Sequence, residues 1–143
     1  MSKGFYISIM KTLTGILLFV TIVATGAISQ FNETLAYDRI NQYRVEAKVS
    51  NVVVDRHLQS NAYDWAQAMV TLNETRHDIN FAMGSFSGEC VAFLAQDYTE
   101  DKVIELFYNS YEHRKIMLNP RWTSVGIAKV ETRGGYYVCL RFN

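Results

Sequence analysis

The chain has 143 residues, enough for one domain and an accessory segment. Its composition, 49% hydrophobic and 20% charged, excludes an intrinsically disordered chain. Lys and Arg number 14, as do Asp and Glu, so the net charge is zero and there is no basic excess of the kind that nucleic-acid binding shows. The aromatic share of 13% clusters in the C-terminal half, which favours a tightly packed core or an apolar groove.

Residues 1–29 differ from the rest. Lys3 and Lys11 precede an uncharged run from Thr12 to Ile28, about 17 residues and at the lower edge of a membrane span. The run also suits the core of a signal peptide, with small residues for a signal peptidase at Ala27-Ile28-Ser29 or Ala24-Thr25-Gly26. Two readings stand: a removed signal, or an anchor that holds the protein to the membrane through residues 12–28. In both, the positive residues stay inside and the domain is exported.

From Glu33 to Val49 the pattern is helical, with Leu35, Ile40, Tyr43 and Ala47 on one face. Asn41 and Arg44, three apart, read as an exposed polar pair. Val52-Val53-Val54 is a short strand or a connector. Asp55 then caps a helix over 56–71, whose stripe of Leu58, Ala62, Trp65, Ala66 and Met69 is core. His57 lies off that stripe, on the surface. Residues 72–88 read as a loop carrying His77, and residues 89–96 as a short buried helix. That would place Glu89 at a helix start, where a carboxylate is favoured.

Thr99-Glu100-Asp101 opens the next helix. Val103, Ile104, Phe107, Tyr108 and Tyr111 form its apolar face, and Pro120 marks the end of the unit. Ser110 and His113 are three apart and would share a helix face. Glu112, two positions from Ser110, would be turned about 200° away. Beyond Pro120, Val125, Ile127 and Val130 suit a strand, Arg133-Gly134-Gly135 a turn, and Tyr136 to Phe142 a second strand, together an antiparallel hairpin. The two cysteines, Cys90 and Cys139, could form one bridge or remain two buried thiols.

Several of these elements occur together in one family. Asn41-x-x-Arg44 comes first, then Leu58-x-x-x-Ala62-x-x-Trp65-Ala66, His77 and Gly88-Glu89. Ser110-x-x-His113, Met117-Leu118, Val125-Gly126-Ile127 and an aromatic terminal strand follow. In order and spacing the chain resembles the CAP superfamily (cysteine-rich secretory proteins, antigen 5, pathogenesis-related 1), also called the SCP domain, and its short bacterial-type members most. The resemblance spans roughly residues 35–143. It implies an α/β fold, a three-layer α-β-α sandwich with a small, mainly antiparallel sheet, over residues 33–143 and preceded by the N-terminal hydrophobic helix.

The resemblance also implies a shallow cleft shared by His77, Glu89 and His113, with Ser110 where larger relatives have an acid. Cys90 departs from the Asn that commonly follows Gly-Glu. It could reach Cys139 and tie the site helix to the last strand.

Four chemistries are open to such a cleft. His77, His113 and Glu89 could ligate zinc, with Ser110 or water completing the shell. Ser110, His113 and Glu89 have the residue types of nucleophile, base and orienter, for a metal-assisted or Ser/His hydrolase. The polar groups could simply hold a loop to a helix. The aromatic residues could line a groove for a lipid. The expectation is an exported, periplasmic or extracellular binding or interaction module with a lipid or protein ligand and no nucleic-acid partner, and the hydrolase is the alternative.

Overall fold

The structure, a computed structural model, describes residues 31–82 and 87–143. The expected N-terminal hydrophobic helix, with its signal or anchor role, lies outside the described residues. Within them, no helix is long and apolar enough to cross a membrane.

In chain order the elements are α1 (Glu33–Glu46), β1 (Val53–Val54), α2 (Arg56–Leu72), α3 (Ile79–Ala82), β2 (Gly88–Leu94), α4 (Glu100–Asn109), α5 (Tyr111–Met117), β3 (Ser124–Thr132) and β4 (Gly135–Phe142). The sheet order is β1-β3-β4-β2. β1 pairs parallel with β3, and the other two pairings are antiparallel. Helices cover both faces, so this is the expected α-β-α sandwich with a mainly antiparallel sheet.

Side chains alternate across a strand, and each face of the sheet feeds its own core. On one face, Val91, Ala128, Val130, Tyr137 and Cys139 pack against Ala62, Ala66 and Met69 of α2. On the other, Cys90, Val125, Ile127, Val138, Leu140 and Phe142 pack against residues of α1, α4 and the end of α5. α2 forms as its sequence dictates. Asp55 caps it by accepting from the N–H groups of His57 and Leu58, at 2.7 and 3.0 Å. Its first turn crosses β3 at Gly126, where a Cβ would lie 2.2 Å from the backbone of Leu58 and Gln59. That approach is open only to glycine.

Several sequence expectations are corrected here. Residues 89–96 are not a helix: Gly88–Leu94 is β2, an edge strand paired residue by residue with β4. A short apolar run has no periodicity that separates buried strand from buried helix. The Cys90–Cys139 bridge is not formed, and both thiols are free and buried. Cys90 is opposite Leu140 and Cys139 opposite Val91, one position out of register. The two side chains therefore enter different cores, one on each face of the sheet, with backbone between them. Burial pushes both thiols up, so they stay protonated and inert.

Asn41 and Arg44 are not an exposed pair. Asn41 clamps Val52, accepting from its N–H at 2.9 Å and donating to its C=O at 3.0 Å. Arg44 is fully buried. Its guanidinium donates to four backbone carbonyls: Ser50 (2.7 Å), Met117 (2.7 Å), Asn119 (3.1 Å) and Trp122 (3.2 Å). Arg44→Met would strip those carbonyls of their donor inside the protein and should cost about 3 kcal/mol or more. Arg44→Lys, with a point charge and no planar fork, should recover only part of it. Urea unfolding of the full chain measures both; a loss below about 1 kcal/mol for the Met variant would refute the assignment.

Candidate functional site

β2 is an edge strand, and its alternation divides the site. Glu89 points to the α2 face, whereas Cys90, Ala92 and Leu94 point to the α4 and α5 face. The carboxylate of Glu89 is 1% exposed. Its Oε1 accepts from His77 Nδ1 and from the Asp78 N–H, both at 2.9 Å. Its Oε2 accepts from Arg141 Nε at 3.1 Å and Nη2 at 2.9 Å. The same Nη2 reaches Asp78 Oδ2 at 2.8 Å. The guanidinium lies 4.1 Å from the centroid of the Phe81 ring, with Trp65 beyond at 5.9 Å. Trp65 in turn donates to the Arg76 carbonyl at 2.9 Å. The loop carrying His77 is thus tied to the sheet and to α2.

An ionised carboxylate only accepts hydrogen bonds, so Glu89 fixes the proton of His77 on Nδ1. Nε2 has no hydrogen-bond partner among the described residues, on a side chain 51% exposed. His77 borders an open cleft of about 490 Å³ with Gly88, Glu112, Lys115, Arg121 and Trp122. Gly88 lets the strand press against the cleft wall, since a Cβ there would stand 2.8 Å from both Ile116 and Trp122. Trp122 is itself fixed by its indole N–H, which donates to the Ile116 carbonyl at 2.7 Å.

Ser110 and His113 lie elsewhere. The helix expected to run through Ser110 stops there: α4 ends and α5 begins at Ser110, whose backbone is extended (φ −83°, ψ 124°). Both residues line a second, smaller pocket over β2. The His113 ring stands edge-on to Phe107, with centroids 5.0 Å apart and planes at 88°. Burial, and then the charge of His77, hold its pKa below the usual 6.5. The new helix start also resets the helical phase. Glu112 therefore borders the His77 cleft, where a single unbroken helix would turn it away.

The structure thus joins His77 to Glu89, and puts Ser110 beside His113 in another pocket. It does not assemble a Ser–His–carboxylate relay. Glu89 engages His77, and Ser110 and His113 are not hydrogen-bonded to each other. Nor does the His77, Glu89 and His113 set fit zinc, because both oxygens of Glu89 are already engaged by His77, Asp78 and Arg141. Among the described residues no group of three or more His, Cys, Asp or Glu is placed to hold a metal ion.

Asp78 and Arg141 are the site residues that sequence reasoning passes over. The available signal is Arg141 itself, a lone charge in a strand that a sandwich buries on both faces. Arg141→Leu would strand two carboxylates and should cost about 3–5 kcal/mol, with Arg141→Leu/Glu89→Leu recovering part of it. Equal stability of Arg141→Leu and wild type in urea unfolding would sink the network. His113 gives a pH dependence of known sign. Its folded pKa is depressed, so below 6.5 the unfolded chain binds the proton first and stability falls with pH. Stability above 6.5 should be flat with respect to this group, and His113→Gln should remove the acid-side loss in unfolding measured across pH.

A family model, described as CAP, the cysteine-rich secretory protein family, matches residues 37–142. No curated protein matches the chain. Among solved structures, an outer surface protein from Borrelia burgdorferi aligns at TM-score 0.65 and 15% identity, over 77% of this chain and 90% of that one. An extracellular SCP-domain protein from Bacillus anthracis aligns at 0.60 and 21%, over 76% of this chain and 39% of its own length. NaASP2, solved with Zn²⁺, aligns at 0.64 and 12%, over 83% and 82%. At these identities the structural likeness is one of fold.

Proposed function

The chain belongs to the CAP family of cysteine-rich secretory proteins, and on that premise we propose that it works outside the cytoplasm as a binding module whose recognition surface is the His77 cleft. Export is supported by the apolar run at residues 12–28 behind Lys3 and Lys11, and by the outer-surface and extracellular relatives that share the fold. The run serves as signal or as membrane anchor.

One observation carries the binding reading. A buried network of Glu89, Arg141 and Asp78 orients an exposed imidazole. Burying charges carries a large desolvation penalty and adds little net stability over apolar packing. Its product is a fixed tautomer facing solvent, as recognition requires. Around it the cleft offers a carboxylate on Glu112, cations on Lys115 and Arg121, and the flank of Trp122. Groups of both signs beside an aromatic surface suit a protein or peptide segment more than an apolar lipid.

The test is photocrosslinking from the cleft, with the full chain exported from the cell that expresses it. A photoreactive residue at Glu112 should give a discrete adduct that His77→Ala abolishes. The same residue at Asp64, exposed on the far side of α2, should give none. Identical adducts from both positions, or an adduct indifferent to His77→Ala in a folded variant, would reject the cleft as the recognition surface.

A further inference from the structure

The sheet has an open edge on the side away from the His77 cleft. β1 covers only Ser124 and Val125 of β3. Ser124 exchanges both of its backbone hydrogen bonds with Asn143, at 3.0 and 3.1 Å. In an antiparallel ladder such pairs recur at every second residue. Gly126, Ala128 and Val130 therefore face β4 in the same way, and Val125, Ile127, Lys129 and Glu131 turn their N–H and C=O groups outward. Val125 shows the pattern, since its outward C=O accepts from the Asp55 N–H at 3.0 Å. Past it, the outward groups of Ile127, Lys129 and Glu131 have no hydrogen-bond partner among the described residues. We propose that this edge is a docking site for an extended segment of a partner protein, which adds as a strand in line with β1 and brings a Lys or Arg to Glu33.

Three observations carry the proposal. The first is the unmet backbone capacity, which another extended backbone matches group for group. Tyr37 adds to it: its hydroxyl lies beside the Ile127 backbone, buried and without a hydrogen bond among the described residues. The second is shape. An open groove of about 410 Å³ lies along the edge, with Ile127 and Lys129 at its base, Phe31 and Glu33 on the α1 side, and Ser60 and Tyr63 of α2 on the other. Helices on both faces of the sheet leave room there for a single strand and obstruct the approach of a second copy's whole sheet. The third is charge. Glu33 is half-buried and has no ion-pair partner among the described residues, so a cation on the segment would meet it.

The edge also lacks the usual guards among the described residues. Open edges are blunted by bulges, prolines or lysines that stand over them. The β3 register runs without a bulge from Val125 to Thr132, and that stretch has no proline. Lys129 is drawn inward instead: its side chain is 8% exposed, with Nζ 4.0 Å from the Tyr136 ring centroid and 2.8 Å from Glu131. The His77 cleft borders β2, at the other end of the strand order, so the two surfaces can be occupied together.

The test follows backbone amide signals of the isotope-labelled full chain by NMR. The probe is a blocked peptide of about seven residues, within the usual range for a strand, alternating Val and Thr around one central Lys. The expected result is a saturable shift of the Ile127, Lys129 and Glu131 signals, slower hydrogen exchange at Lys129 and Glu131, and no response at Lys115 or Arg121 of the His77 cleft. Methylating the peptide's backbone amides should abolish binding. Ser60→Trp, on an exposed position of α2, fills the groove without touching either core and should weaken binding at least about tenfold. Glu33→Gln should weaken it about threefold, and a peptide with Glu in place of Lys should bind more weakly than the Lys peptide. Binding that survives amide methylation, or that Ser60→Trp leaves unchanged in a folded variant, would overturn the proposal. So would Lys129 and Glu131 amides already protected from exchange without peptide, or edge signals that depend on the concentration of the chain alone, since the chain itself or a second copy would then hold the edge.

Discussion

The guanidinium of Arg44 fixes where α5 ends and where the chain turns into β3. It is a buried cation with no carboxylate opposite it among the described residues. Its charge is met by carbonyl dipoles, two of them at and just beyond the end of α5, where helix carbonyls lack partners and carry partial negative charge. Burial draws the group's pKa down from its ordinary value, but an arginine keeps its proton. Because the same side chain also bonds Ser50 and Trp122, it sets the spacing of the α1–β1 connection, the α5 terminus and the approach to β3 at once. Glu112, Lys115 and Trp122 take their places around the cleft from that spacing. A residue far from the solvent-facing chemistry thus decides whether there is a cleft at all.

The second organising constraint is the pleat of β2. Residues that are neighbours in sequence serve different compartments: Glu89 joins a charged network under α2, and Cys90 packs in the apolar core under α4 and α5. His77 comes to Glu89 from the loop before the strand, and His113 lies over the opposite face. What a list of motifs suggests is one four-membered site is divided in space between an open polar cleft at His77 and a smaller, mostly apolar pocket at Ser110 and His113, both lined in part by α5. The presence of Ser rather than an acid at position 110 suits that division, because a charge there would sit in a pocket whose walls, His113 apart, are Ala, Leu, Val and Phe.

Much of this can be read from the residues. Asp55 with Leu58, Ala62, Ala66 and Met69 announces α2, because cap and stripe agree. Arg133-Gly134-Gly135 between two apolar strands announces the terminal hairpin, and Gly134 does take positive φ, at 94°. The order of motifs along the chain singles out His77 and Glu89, but not the Arg141 and Asp78 that hold them. What escapes a sequence reading is local geometry decided by distant partners. β2 has an apolar run too short to show its period, and only its ladder with β4 makes it a strand. Arg44 looks like a surface charge until the four carbonyls that receive it are assembled from along the sequence. Glu112 changes sides because one residue of extended backbone at Ser110 splits what reads as a single helix.

The out-of-register cysteines have a consequence for how the molecule is made. In a family named for its cysteines, this domain closes its sandwich without a covalent link. Neither sulfur can reach the other, and neither is exposed to an outside partner. Its folding is therefore indifferent to the redox poise around it. It needs no oxidase or isomerase at its destination, and reductant has no bond to cut. Cohesion rests on the two cores, the Arg44 clamp and the Arg141 network, so what governs its survival is acidity and heat.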